Sequence, residues 1–236
     1  MKLRISAYVF VLAIGSLSLS AYAITNGQKI SEESSTQIVK LSNSEGTCTG
    51  VVVGPSTVLT ARHCTGKNIA SQILVNGVPA IEIKVPTVEI EPESDLDLAL
   101  LKLSHEMPNV IPIRRSPTPE TAFQIQIVGY GGAYDSEGNI DWADVKRVGK
   151  NVVLPGDRSK NPYFNIKFEL GAYNPNLVSG ALPGDSGGPM LYNRLVIGIS
   201  SKSMFGISNY TNLRAERALK FFSEATREGW IIQWAD

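Results

Sequence analysis

Ser186 stands in the middle of Gly184-Asp185-Ser186-Gly187-Gly188-Pro189. Glycines on both sides let the backbone approach a neighbouring group closely and turn its N–H groups inward. An exposed serine nucleophile with an oxyanion-binding site requires that environment. A hydroxyl also needs a base, because it is a poor nucleophile alone. The chain has two histidines, His63 and His105. His63 lies in Leu59-Thr60-Ala61-Arg62-His63-Cys64. His105 follows an apolar run, belongs to no motif and reads as a surface residue. A carboxylate to orient the imidazole comes from Asp95-Leu96-Asp97-Leu98-Ala99-Leu100-Leu101. Side chains alternate along extended chain, so Asp95 and Asp97 share a face and spacing alone leaves both open. The order along the chain is His, Asp, Ser. Such a set would attack a carbonyl carbon and pass through a covalent acyl intermediate.

These segments resemble the trypsin/chymotrypsin family of serine endopeptidases, which carries its triad in the same order. Thr60-Ala61-Arg62-His63-Cys64 is similar to the family's T-A-x-H-C, and Asp97-Leu98-Ala99-Leu100-Leu101 to its D-[ILV]-A-L-[LI]. Gly184 to Pro189 matches G-D-S-G-G-P in full. Ile24-Thr25-Asn26-Gly27 resembles the I-V-G-G mature start, and Gly129-Tyr130-Gly131 a G-W-G landmark. The resemblance favours Asp97 over Asp95 and implies a triad of His63, Asp97 and Ser186. It implies an oxyanion hole from the N–H groups of Gly184 and Ser186, and a disulfide between Cys48 and Cys64. Asp185 would pair with the freed amine of Ile24. Gly180 would stand at the floor of the substrate pocket beside Ala181, so an acidic floor is absent. Ser201, Lys202 and Ser203 would line the substrate backbone, Ser201 also bonding the catalytic aspartate. Ser208 would stand in the wall. Leu182 replaces the cysteine that braces this pocket in the family. These departures leave the triad intact and point to small or medium residues on the acyl side of the cut bond.

The first residues read as an export signal. Lys2 and Arg4 precede an apolar run from Ile5 to Leu19, and Ala21-Tyr22-Ala23 is an A-x-A cleavage site. The run is shorter than the ~20 residues of a comfortable membrane span. Cleavage after Ala23 would leave no membrane anchor and would free Ile24 directly, with no separate propeptide. We expect a secreted or periplasmic protein, where a disulfide persists. The 22 basic and 22 acidic residues balance, with no basic stripe for nucleic acid. Asn209-Tyr210-Thr211 fits the glycosylation pattern but lies in an expected strand, behind a signal of bacterial type.

The rest reads as short β segments rich in Val, Ile, Leu and Thr, punctuated by Asn, Gly, Pro and Ser. Examples are 37–41, 49–53, 56–60, 81–85, 98–103, 123–130, 145–154, 164–170, 195–200 and 208–213. Such strands suit a sandwich or a barrel. The resemblance implies an all-β fold of two six-stranded antiparallel barrels, with the active site between them and a C-terminal helix. Residues 110–121, with three prolines, form the linker. The expected parts are a signal at 1–23, a first barrel at 24–115 and a second barrel with the helix at 116–236. A helix over Arg214–Ala225 would bury Ala215, Ala218, Leu219 and Phe222, and Gly229 would stop it.

The expected activity is that of a monomeric serine endopeptidase acting on proteins or peptides and open to protein inhibitors. The mechanism implies no metal or organic cofactor, and no ligand spacing supports calcium. An inactive homologue that binds proteins on the same fold is the alternative. Esterase chemistry would use the same residues.

Overall fold

The structure is a computed structural model. It describes residues 24–86, 96–134, 136–137, 139–141, 145–155, 163–172, 174 and 176–236, with Ile140 and Asp141 as backbone only. The expected signal at 1–23 and Asp95 lie outside the described residues.

Among the described residues, two large curled sheets, a two-stranded sheet of Ala133–Tyr134 with Ile140–Asp141, and one α-helix make up the regular structure. The first sheet is antiparallel, in the order Val78–Pro79, Leu74–Val75, Ile38–Asn43, Gly46–Gly54, Thr57–Thr60, Ala99–Lys102, Glu82–Lys84. The second runs Gln28–Lys29, Arg147–Val153, Phe123–Gly129, Pro189–Tyr192, Leu195–Met204, Ile207–Asn212, Tyr163–Lys167. Ile113–Arg114 joins its middle and pairs in parallel with both Leu195–Met204 and Trp234–Ala235. Two-residue pieces bring the described strands of the two sheets to seven and nine.

Strand alternation divides the apolar residues among three cores. Val39, Val52, Val58 and Leu101 fill the inside of the first sheet. Ile24, Ile125, Ile127, Phe164 and Met190 fill the inside of the second. Ile38, Val51, Val53, Leu59 and Leu100 face the other way and meet Val128, Leu191, Val196 and the helix. Successive residues such as Val51, Val52 and Val53 are therefore all buried, on opposite faces.

The helix spans Glu216–Arg227 and buries Ala218, Phe221, Phe222 and Ala225. It starts two residues later than expected. The side chain of Asn212 accepts the Arg214 N–H at 2.9 Å, and its carbonyl accepts the Ala215 N–H at 3.1 Å, holding 212–215 in a turn. The buried stripe accordingly runs through Phe221 rather than Leu219. Gly229 ends the helix at φ +91°, which a glycine adopts freely. Lys84, on the first sheet, donates to Glu228 at 2.7 and 2.8 Å and fastens the helix to it. No helix among the described residues is long and apolar enough to cross a membrane.

Candidate active site

His63 lies on a short 3₁₀ turn, Arg62–Cys64, just beyond strand Thr57–Thr60. A disulfide joins Cys64 to Cys48 on the neighbouring strand, and Asn43 Nδ2 donates to the Cys64 carbonyl at 2.8 Å. Asp97 precedes strand Ala99–Lys102, between the fully buried Leu96 and Leu98. Its Oδ1 accepts the His63 backbone N–H at 2.9 Å, and its Oδ2 meets His63 Nδ1 at 2.7 Å. Ser201 Oγ donates to the same Oδ2 at 2.7 Å. Burial opposes the Asp97 charge, but the His63 ring and the Ser201 hydroxyl outweigh it and hold the carboxyl below its ordinary range.

Ser186 occupies the turn that leads into Pro189–Tyr192, an interior strand of the second sheet. Gly184 and Gly187 take φ of +94° and +80° there, and a Cβ on Gly187 would lie 2.1 Å from Thr60 Oγ1. The turn is clasped from the first sheet by Thr49. The Thr49 N–H donates to the Ser186 carbonyl at 2.8 Å and its Oγ1 to the Gly184 carbonyl at 2.9 Å. The same Oγ1 accepts the Tyr130 N–H at 3.0 Å. The sequence reading missed Thr49, because nothing local marks a bond that spans 135 residues. The N–H groups of Gly184 and Ser186 donate to no described protein acceptor. Ser186 Oγ and His63 Nε2 are not hydrogen-bonded to each other, yet both residues line one cavity of about 450 Å³. Nε2 lies 3.8 Å from the Cys64 sulfur.

Asp185 is buried behind the turn. It accepts N–H groups from Gly131 and Leu182, each at 3.0 Å, and from Ile24. A Cβ on Gly129 would strike its Oδ1 at 2.0 Å, so the glycines flanking Tyr130 make its seat. Burial pushes its carboxyl up to about 8, against those N–H groups and the charge of Arg147.

Ser201, Lys202 and Ser203 line the cavity beside Ser186, together with Leu182 and Met204. Gly180, Ala181 and Ser208 lie buried behind it. Ser208 Oγ accepts the Ala181 N–H and the Ser203 hydroxyl, both at 2.9 Å, and so joins the two walls. The Phe168 ring fills the space in front of Gly180, where a Cβ would lie 2.1 Å from it. Phe168 also packs on Leu182. It was not anticipated from the sequence, since it lies on a separate segment. The metal-like group Cys48, His63 and Cys64 has its sulfurs joined in the disulfide, so they are not thiolate ligands.

The family model for Trypsin matches residues 24–214. The chain is 29% identical over 186 residues to a trypsin of Saccharopolyspora erythraea, covering 65% of this chain and 74% of that one. Among solved structures it resembles human heparin binding protein, at TM-score 0.61 and 15% identity, covering 89% of this chain and 99% of that one. It also resembles the scabies mite inactivated protease paralogue S-I1, at TM-score 0.63 and 15% identity, covering 86% and 99%.

Proposed function

The chain belongs to the trypsin family, and from that membership and its cleft we propose that it is an exported serine endopeptidase. Ser186 Oγ attacks a peptide carbonyl while His63 Nε2 takes its proton. The N–H groups of Gly184 and Ser186 receive the developing oxyanion. His63 then passes the proton to the leaving amine, which departs and leaves an acyl group on Ser186. Water, activated by His63 in turn, releases that acyl group. Asp97 fixes the imidazole tautomer and stabilises its charged form. The observation that carries this reading is the Asp97 carboxylate, held by His63 Nδ1 at 2.7 Å, with His63 and Ser186 opening on one cavity. Removal of residues 1–23 would free the Ile24 amine beside Asp185 and activate the enzyme.

The substrate chain would run along the edge of Leu195–Met204 opposite Ile207–Asn212, an edge that beyond Ser200 pairs with no described strand. Phe168, Leu182 and the Ser203–Ser208 link leave little depth next to Ser186, and Glu45, the one carboxylate among the described residues that line the cavity, sits exposed on a turn of the first sheet. Small uncharged residues should therefore precede the cut bond, and a buried Lys or Arg would lack a partner. Replacing Phe168 with Ala should open the pocket. Peptides with Leu or Phe at that position should gain roughly 10–200-fold relative to Ala, the worth of filled apolar pocket space. An unchanged preference would reject this view of the pocket.

The competing reading is a silent binding protein, favoured by the unmade bond between Ser186 Oγ and His63 Nε2. A fluorophosphonate reagent separates the two. The mature chain should label on Ser186, and the Ser186→Ala variant should not. An unlabelled mature chain that cleaves nothing in a mixed peptide library would overturn the endopeptidase reading.

A further inference from the structure

The described residues between strands Tyr163–Lys167 and Pro189–Tyr192 form no helix or strand. This stretch carries the space behind the pocket, at Gly180, and the turn of Ser186. It takes its shape from what it binds, and much of what it binds is the segment that begins at Ile24.

Three successive residues there reach three successive points of it. Ile24 is buried in the second core and gives its N–H to Asp185. Thr25, 1% exposed, makes a reciprocal pair with Gly180. The Thr25 N–H donates to the Gly180 carbonyl at 2.9 Å, and the Gly180 N–H donates to Thr25 Oγ1 at 3.0 Å. Asn26 sits at φ +56°, a conformation asparagine tolerates better than most residues. Its Oδ1 accepts the Asn174 N–H at 2.8 Å, and its Nδ2 donates to the Val178 carbonyl at 3.2 Å.

Two of these three anchors are side chains. A valine at 25 would keep the shape and leave the buried Gly180 N–H without an acceptor, a costly state. A glycine at 26 would keep the backbone and lose both bonds. We propose that Thr25 and Asn26 are positioning residues, whose side chains couple the seating of the new N-terminus to the conformation of residues 174–185. The proposal rests on the endopeptidase reading for its consequence, a formed oxyanion turn, but the coupling itself is a property of the fold. Seating weakens when the Ile24 amine loses its proton. The other groups facing this site are Asp185, Arg147 and Tyr210, which the variants leave in place.

The test uses the mature chain from Ile24 with Thr25→Val, Thr25→Ser and Asn26→Gly. Deuterium exchange of residues 174–185, read by mass spectrometry, needs no activity. Thr25→Val and Asn26→Gly should speed it by about tenfold or more, the effect of one lost buried bond. Thr25→Ser should restore protection. Serine labelling followed across pH should lose its alkaline limb up to about one pH unit lower in Thr25→Val than in Thr25→Ser. Unchanged exchange in both disruptive variants would overturn the proposal. So would faster exchange spread evenly over the whole chain, which marks general destabilisation. A wild-type chain that never labels, with exchange responding as expected, would reject the endopeptidase reading and leave the coupling standing.

Discussion

Asp97 concentrates the chemistry of single residues. It holds His63 twice and Ser201 once, and it stays ionised despite its burial. Ser186→Ala should leave the fold intact and remove nearly all peptidase activity, up to ~10⁶-fold by analogy with another serine protease triad. His63→Ala should be comparable, and the double variant should add little, because the two act as a unit. Asp97→Asn should cost ~10⁴-fold, far more than Asp95→Asn. Steady-state hydrolysis of one peptide checks all five variants, and a worse Asp95→Asn would move the acid to that residue. Thr49 supports the same turn from the other sheet. Thr49→Val removes two buried bonds, to the Gly184 carbonyl and from the Tyr130 N–H. It should lose ~1–3 kcal/mol of stability in urea unfolding and lower kcat more than it raises KM. A variant as stable and active as the parent would show that the clasp is dispensable.

At the scale of elements, the N-terminal segment and the Ser186 turn form one unit through Asp185. With Ile24 as a peptide N–H, burial pushes the Asp185 carboxyl from 3.8 to about 8. The folded chain then holds a proton that the unfolded chain releases. Its stability falls as pH rises from about 4 to about 8 and stays low above that. A free Ile24 ammonium would offset this. The carboxylate raises the folded pKa of that ammonium, so its contribution is complete below the ordinary amino value of ~8 and fades above it. A chain retaining Tyr22-Ala23 ahead of Ile24 should therefore be the less stable form by ~3–5 kcal/mol near neutral pH, the cost of breaking a buried pair and protonating the carboxyl it leaves. The gap should close in alkaline solution. Urea unfolding of both forms between pH ~5 and ~10 measures it, and parallel profiles would reject the pairing.

On the scale of the whole molecule, the cleft lies where two sheets share a core. Ile38, Val51, Val53, Leu59 and Leu100 are covered by Val128, Leu191, Val196, Phe221 and Phe222 from later in the chain. Lys84 reaches from the first sheet to Glu228 on the helix. Residues 24–115 alone would expose that shared face. The fragment should lack a cooperative unfolding transition, while the full mature chain should unfold in one step by near- and far-ultraviolet dichroism. A cooperatively folded fragment would show that the halves are independent. The joint also explains the geometry of the site. His63 and Asp97 come from the first sheet, Ser186 and Ser201 from the second, and Thr49 bonds across between them.

The sequence by itself marked the candidate triad and an all-β chain, and its resemblance to the trypsin family chose two barrels over a sandwich. The triad candidates, the glycine turn and the strand pattern are local signals, because turn chemistry and strand alternation are written in neighbouring residues. The helix was legible too, apart from its first turn and the choice of Phe221 over Leu219, which Asn212 and the shared core decide. Tertiary structure alone decided what Thr49, Phe168, Thr25 and Asn26 do. Each acts on a partner far along the chain: Thr49 on Gly184, Phe168 on Gly180, Thr25 on Gly180 and Asn26 on Asn174. Thr49 and Phe168 carry no spacing or composition that marks them, and the motif that holds Thr25 and Asn26 gives their side chains no role. A threonine beside a cysteine and a phenylalanine after a strand are ordinary residues until folding places them against a carbonyl or a glycine.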